Sequence, residues 1–230
     1  MNTTSTRCKR IYIISSLIIF SLAVTYIDAV VHPSYFTKIP IKILFFLALP
    51  MAFFLLFRKE RPVCKKMFHF EQRGLRFSLL LGSAIYVLIT AGYLLTRNIF
   101  DFSAVTGSLT SGMGITQKNF PLVALYICVF NSFLEEFFFR GFGFIALKAY
   151  TGPRFAYWFS PVFFAIYHAG MMSGMFHPLL HLLLITGLIA GGLIFNALND
   201  RFGNLYPSWF VHMAADLGIM TVGAILFYLN

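Results

Sequence analysis

The chain has 230 residues, of which 59% are hydrophobic and only 11% are charged, and its mean hydropathy is +0.79. Soluble domains carry charge on about a quarter of their residues, so this composition excludes a soluble protein and predicts an integral membrane protein. The net charge of +10 does not indicate a nucleic-acid-binding protein, because the basic residues flank apolar segments. The three cysteines, Cys8, Cys64 and Cys128, show no metal-binding, redox or disulfide spacing.

Seven apolar segments approach the length of about 20 residues that a membrane-spanning helix needs. In chain order they are roughly Ile11–Val31, Ile41–Phe57, Phe77–Thr96, Phe120–Phe139, Phe155–Met172, Pro178–Leu198 and Ser208–Leu229. The first lacks a small-residue cleavage signal, which favours a retained helix over a removed signal peptide. The sequence therefore predicts an all-α, polytopic membrane helical bundle of about seven transmembrane helices, within a range of six to eight. It also predicts a single integral membrane domain over residues 1–230.

The placement of basic residues predicts the orientation of the bundle. With seven spans, all but four of the 18 Lys and Arg residues lie on the side of the N-terminus, and the four on the opposite side are Lys38, Lys42, Arg97 and Lys118. Cytoplasmic loops collect Lys and Arg. The sequence therefore predicts a multi-pass protein of the inner (cytoplasmic) cell membrane with a cytoplasmic N-terminus.

Only eight acidic residues occur in the chain, so each can be considered separately. Five are predicted to lie in loops or at the membrane interface: Glu60, Glu71, Asp101, Asp200 and Asp28, the last with His32 as a hydrogen-bond partner. The other three, Glu135, Glu136 and Asp216, stand among apolar residues. An ionisable group in hydrocarbon costs several kcal/mol unless it is paired or faces a wet cavity, so these three acids mark a candidate functional site.

The central motif is Glu135-Glu136-Phe137-Phe138-Phe139-Arg140. On a helix, Glu136 and Arg140 are four residues apart and can form an ion pair, whereas Glu135 is rotated by about 100° and stays free of this arginine. A buried ion pair between helices is the structural alternative. A purely structural pair would not require the second glutamate, which favours a catalytic carboxylate.

His168 is predicted to lie near Glu135. The fourth segment keeps its apolar character beyond Arg140 to about Tyr150, provided that Gly141 and Gly143 do not break the helix. Glu135 then lies about 22 Å before the turn at residues 150–154, at 1.5 Å per residue. His168 lies at nearly the same distance after that turn, so antiparallel neighbouring helices would bring the two side chains together.

His212 and Asp216 are four residues apart on the last segment and share one helix face. A self-satisfied His–Asp pair is the structural alternative to a catalytic role. Counting residues along the helix places His212 less deep in the membrane than His168. The two histidines can reach the same depth only if the connection over residues 199–207 enters the membrane. His177 and His181 are also four apart, but two imidazoles without a nearby acid make a poor metal site.

Three motifs in this order, Glu135-Glu136-x-x-x-Arg140, Phe164-x-x-x-His168 and His212-x-x-x-Asp216, resemble the CAAX protease and bacteriocin-processing (Abi) family. The run from Gly191 to Pro207 is similar to the family's connection into its last motif. The resemblance covers about residues 120–216. It implies a glutamate-type intramembrane endopeptidase that acts on a membrane-associated protein or peptide and requires no metal or other cofactor.

The resemblance also implies roles for individual residues. Glu135 would be the general base, His168 would orient the attacking water, and Glu136 and Arg140 would hold the site in shape. His212 and Asp216 would match the oxyanion-stabilising pair. The family often has Asn where this chain has Asp216, and a carboxylate there suits a role in keeping His212 protonated.

Three other functions remain open at the sequence level. A zinc hydrolase could use Glu135, His168, His212 and Asp216 as ligands, although no His-Glu-x-x-His motif is present. A non-catalytic immunity or peptide-binding protein could use the same polar cavity. A proton-coupled transporter could also use intramembrane Glu and His, but the chain lacks the internal repeat that is common in transporters.

Overall fold

The computed structural model describes residues 3–229, and within them it is helical with no β-strand. The helices are α1 (Thr3–Tyr26, continued by a π-helical segment Ile27–Val31), α2 (Tyr35–Leu56), α3 (Arg61–Met67), α4 (Gln72–Thr96), α5 (Ser103–Gly107), α6 (Phe120–Ala146), α7 (Pro153–Ala169), α8 (Pro178–Phe202) and α9 (Tyr206–Tyr228). The all-α prediction is confirmed.

Six of these helices are long and apolar enough to cross a membrane: α1 with its π-helical continuation, α2, α4, α6, α8 and α9. The predicted number of about seven exceeds this by one. The difference is α7, which has only 17 residues because it begins at Pro153 and ends before Gly170. The protein is thus a multi-pass membrane protein in which α7 is a shorter helix packed mainly between α8 and α1.

The second helix differs most from its predicted bounds. It begins at Tyr35 rather than Ile41, since the Ser34 hydroxyl accepts a hydrogen bond from the Thr37 amide (3.3 Å) and caps its first turn. Lys38 and Lys42 are therefore buried helix residues, with 5% and 6% of their surface exposed. The sequence places both among the basic residues on the side opposite the N-terminus, and the structure adds that both side chains are buried in the bundle.

Asp28 has a different partner from the one predicted for it. It is buried in the π-helical segment after α1, and Lys38 Nζ donates to Asp28 Oδ1 at 2.7 Å. The predicted partner, His32, instead has a left-handed backbone conformation (φ +50°) at the end of this segment. The buried Asp28–Lys38 pair links α1 to α2.

α6 is the central helix of the bundle, and it continues through Gly141 and Gly143 without a break. The structure gives a reason for Gly143: a Cβ there would lie 2.6 Å from Leu17 Cδ2, so its absence lets α1 approach α6 closely. Residues 136–146 are π-helical, a geometry that is rare and often found at functional sites. Around them, the buried rings of Phe137, Phe138, Phe139, Phe142 and Phe144 form much of the core.

An ion pair connects the start of α1 to the segment before α3. Lys9 Nζ donates to Glu60 Oε1 at 2.6 Å. Partial burial acts to raise the pKa of Glu60, but hydrogen bonds from Lys9 and Tyr150 together with the Lys9 charge outweigh it and lower that pKa below its usual value. A carboxylate with a lowered pKa stabilises the folded state above its unfolded pKa, and this stability is lost as the pH falls through the folded value.

We therefore expect Glu60→Gln to lower the melting temperature of the purified protein at pH 7 by a few degrees, corresponding to about 1 kcal/mol because water screens this partly exposed pair. The difference between variant and wild type should shrink below about pH 4.5 and vanish at lower pH. Thermal unfolding followed at several pH values measures both. A difference that stays constant down to pH 3 would contradict the ion-pair explanation.

Candidate active site

Glu135 lies at the centre of the site, on α6, with 1% of its surface exposed. Its Oε1 atom accepts two hydrogen bonds, one from Asn131 Nδ2 (2.6 Å) and one from the Tyr167 hydroxyl (3.1 Å). Arg140 makes no ion pair with it. The second carboxylate oxygen, Oε2, is left facing the two histidines of the site.

His168 extends from α7 towards Glu135, with its Nε2 3.7 Å from Glu135 Oε2. Its other ring nitrogen, Nδ1, lies 2.8 Å from the Phe164 carbonyl oxygen. A carbonyl can only accept, so Nδ1 carries the proton and the neutral ring presents the lone pair of Nε2 to the site. The Phe164-x-x-x-His168 motif thus supplies both the histidine and the backbone oxygen that orients it.

His212 extends from α9 and contacts both glutamates. Its Nδ1 lies 3.0 Å from Glu136 Oε1, and its Nε2 lies 3.7 Å from Glu135 Oε2. Asp216 Oδ2 is 3.8 Å from the same Nε2 atom. The sequence interpretation paired His212 with Asp216 alone, whereas the closest carboxylate in the structure is that of Glu136.

Glu136 and Arg140 form the fully buried base of the site. Arg140 Nη1 lies 3.3 Å from Glu136 Oε1, and both side chains have no exposed surface. The guanidinium carbon lies 4.0 Å from the centre of the Phe164 ring and 4.9 Å from that of Phe195, so the arginine is also held by aromatic faces. A Cβ on Gly192 would lie 2.7 Å from Pro161 Cβ and 3.1 Å from Arg140 Nη2, which explains a glycine in α8 at this point.

The connection between α8 and α9 determines the depth of His212. It turns at Gly203 (φ +70°), and the Leu205 amide donates to the Met67 carbonyl at 3.0 Å. Leu205 is buried and packs close to Gly141. α9 therefore begins beside the middle of α6, and six residues later His212 lies opposite Glu136.

The structure brings all six predicted site residues together: Glu135, Glu136, Arg140, His168, His212 and Asp216. Glu135 and Glu136 are almost entirely buried, while the side chains of His168 and Asp216 are 16% and 13% exposed. The site is therefore closed on the side of Arg140 and most accessible past His168 and Asp216.

Three further residues at the site were missed by the sequence interpretation. Asn131 and Tyr167 hydrogen-bond to Glu135, and Lys42 Nζ lies 4.9 Å from the centre of the Tyr167 ring. Asn131 had a detectable signal, because it lies one helical turn before Glu135. For Lys42 the only signal in the sequence was a charge inside an apolar segment. For Tyr167 the only signal was its position next to His168.

His177 and His181 lie apart from this cluster. His177 Nδ1 accepts a hydrogen bond from the Leu179 amide (3.3 Å) and so caps the start of α8. Within residues 3–229, no group of three or more His, Cys, Asp or Glu residues is arranged to hold a metal ion.

Comparison with known protein families gives a match to part of this chain. Residues 117–218 match the family model described as type II CAAX prenyl endopeptidase Rce1-like. No curated protein and no solved structure matches the chain. The matched segment contains all six predicted site residues and extends from the start of α6 into the middle of α9.

Proposed function

Because residues 117–218 match the CAAX prenyl endopeptidase family, we propose that this chain is an intramembrane endopeptidase of that family. It would hydrolyse a peptide bond in a membrane-associated protein or peptide. The observation that carries this proposal is the position of Glu135 Oε2, at 3.7 Å from the Nε2 atoms of both His168 and His212. Groups at this separation suit a water or a substrate oxygen bound between them.

The geometry supports a division of labour between the two histidines. His168, with its proton on Nδ1, would accept a hydrogen bond from the attacking water at Nε2 and orient it. Glu135 would take the proton of that water through Oε2 as the hydroxide attacks the carbonyl carbon. The same proton can later pass from Glu135 to the leaving amine, so one carboxyl group serves as base and then as acid.

His212 would stabilise the oxyanion. The Glu136 carboxylate accepts from Nδ1, and Asp216 lies near Nε2, so two acids favour the doubly protonated ring. The Nε2–H group of that ring can donate to the negatively charged oxygen of the tetrahedral intermediate. In this proposal Asp216 holds the charge of His212 and does not itself face the oxyanion.

The test is cleavage of a fluorogenic farnesylated peptide with a CAAX-type C-terminus, and of its unprenylated form, by the full chain in lipid nanodiscs. Hydrolysis in ¹⁸O-labelled water should place one ¹⁸O atom in the new carboxyl group. We expect turnover to persist in a strong chelator. Loss of turnover in chelator and its recovery with Zn²⁺ would support the zinc alternative, and tight binding of the peptides without cleavage would support a non-catalytic protein.

A further inference from the structure

Lys42 is a buried cation that the proposed mechanism does not use. It lies on α2 with 6% of its surface exposed, and within residues 3–229 its ammonium group has neither a hydrogen bond nor an ion pair. The removal of an ammonium from water costs several kcal/mol when no counter-charge compensates it. Lys38, one turn earlier on the same helix, is compensated by Asp28 at 2.7 Å. Lys42 therefore needs a different explanation.

A contact between Lys42 and Tyr167 connects Lys42 to the candidate active site. Its Nζ lies 4.9 Å from the centre of the Tyr167 ring, and the hydroxyl of that ring donates to Glu135 Oε1 at 3.1 Å. Tyr167 is 2% exposed, and its ring packs against Phe20, Phe46 and Phe139, so it has little freedom to turn. The negative charges of Glu135 and Asp28 both act on Lys42.

The charges around Glu135 show what Lys42 supplies. Ionisable groups face this carboxylate from three other helices and its own: Lys42 from α2, Tyr167 and His168 from α7, His212 and Asp216 from α9, and Glu136 and Arg140 from α6. The phenols of Tyr35 and Tyr126 add no charge at working pH. Arg140 is paired with Glu136, and His212 lies between Glu136 and Asp216. Lys42 is thus the cation of this set that no carboxylate pairs directly, so its charge can act on Glu135.

We infer that Lys42 is a positioning residue for Glu135: it keeps the carboxylate ionised and fixes the Tyr167 hydroxyl that donates to it. This inference rests on the proposed function of Glu135 as the base. Lys42 acts through the face of the Tyr167 ring and the electric field of its charge, since it makes no ion pair with Glu135. Glu135 must be ionised before it can take a proton from water.

The first test is the dependence of kcat/KM on pH, with the farnesylated CAAX-type peptide as substrate. In Lys42→Met the acidic limb should move to higher pH by about one unit, so that activity falls about tenfold on this limb and approaches that of the wild type at higher pH. Lys42→Arg, which keeps the charge, should restore most of the wild-type profile. Lys118→Met removes one charge from an exposed position and should leave the profile unchanged.

Two outcomes of this experiment would overturn the inference. One is a Lys42→Met profile that superimposes on the wild type, and the other is an equal loss at every pH, as expected for a merely structural lysine. The same peptide should be compared as a free acid and as a C-terminal amide. A Lys42→Met defect confined to the KM of the free acid would assign Lys42 to binding of the substrate carboxylate and would equally overturn the inference.

A second measurement requires no turnover. Infrared spectra recorded through a pH titration should show the protonated-carboxyl band of Glu135 appearing at a pH about one unit higher in Lys42→Met than in the wild type, and this band should be missing from Lys42→Met combined with Glu135→Gln. If the band appears at the same pH in both proteins, the inference fails even if the wild type cleaves the peptide. If the band shifts but the wild type cleaves nothing, Lys42 controls Glu135 and it is the proposed peptidase function that fails.

Discussion

Glu135→Gln is expected to lower kcat for the CAAX-type peptide by about 10³-fold, with a much smaller change in KM. The amide oxygen of glutamine can still accept the hydrogen bonds of Asn131 Nδ2 and the Tyr167 hydroxyl, so the helix packing is preserved. The amide nitrogen that replaces Oε2 cannot accept a proton from water. Loss of a general base typically costs 10²–10⁴-fold in rate.

The matched control is Glu71→Gln, because Glu71 is exposed before α4 and distant in sequence from the motifs. It should retain full activity. Thermal unfolding of each variant in nanodiscs separates loss of chemistry from loss of structure, and we expect Glu135→Gln to melt within a few degrees of the wild type. Retention of more than a tenth of wild-type kcat by a well-folded Glu135→Gln protein would remove Glu135 from the role of base.

The Glu136→Gln variant distinguishes the role of Glu136 from that of the adjacent Glu135. Glu136 has no oxygen near His168, and it contacts His212 and Arg140 instead. Its amide oxygen can still accept from His212 Nδ1, but it no longer supplies a negative charge to hold the ring protonated. In the proposed mechanism the two neighbours therefore have different functions: Glu135 acts on water, and Glu136 acts on His212, the oxyanion donor.

Much of this arrangement could be predicted from local spacing in the sequence. The pairing of Glu136 with Arg140 follows from a separation of four residues on one helix, and the meeting of Glu135 with His168 follows from equal distances to one short turn. The apolar segments predicted the helical class because a bilayer leaves few other ways to satisfy the backbone. These are short-range properties, and the sequence states them directly.

Contacts that depend on packing between distant helices could not be predicted in this way. The pairing of His212 with Glu136 depends on where α9 begins, and that depends on Leu205 lying against Gly141 and Met67. The spacing of residues within α9 had predicted Asp216 as the partner of His212 instead. The continuation of α6 through Gly141 and Gly143 was ambiguous for a related reason, because neighbouring side chains outweigh the low helix propensity of glycine.

Lys42 is the clearest example of a site residue that local sequence spacing could not predict. The first half of the chain contains no motif, and its helices were interpreted as generic spans. The structure places α2 against α6, so that Lys42 lies over Tyr167 and Asp28 pairs with Lys38. The N-terminal half therefore contributes charge to the candidate site, although its sequence alone gives no sign of where that charge lies.

Arg140→Met is expected to destabilise the protein by about 3–5 kcal/mol, because it leaves the Glu136 carboxylate buried without its cation. The unbranched methionine can still pack between the rings of Phe164 and Phe195, so the loss should come mainly from charge. Combining it with Glu136→Gln removes the uncompensated acid. Replacement of both partners of a buried ion pair is often close to neutral, so the double variant should recover most of the lost stability.

Unfolding free energies of the two single variants and the double variant form a cycle whose coupling term measures the pair directly. Arg154→Met, at an exposed position, controls for the loss of a positive charge. If Arg140→Met alone is as stable as the wild type, Arg140 does not neutralise Glu136. Recovery of stability in the double variant without recovery of kcat would indicate that the buried pair serves the chemistry, because in the proposed mechanism the charge of Glu136 helps Asp216 to keep His212 protonated.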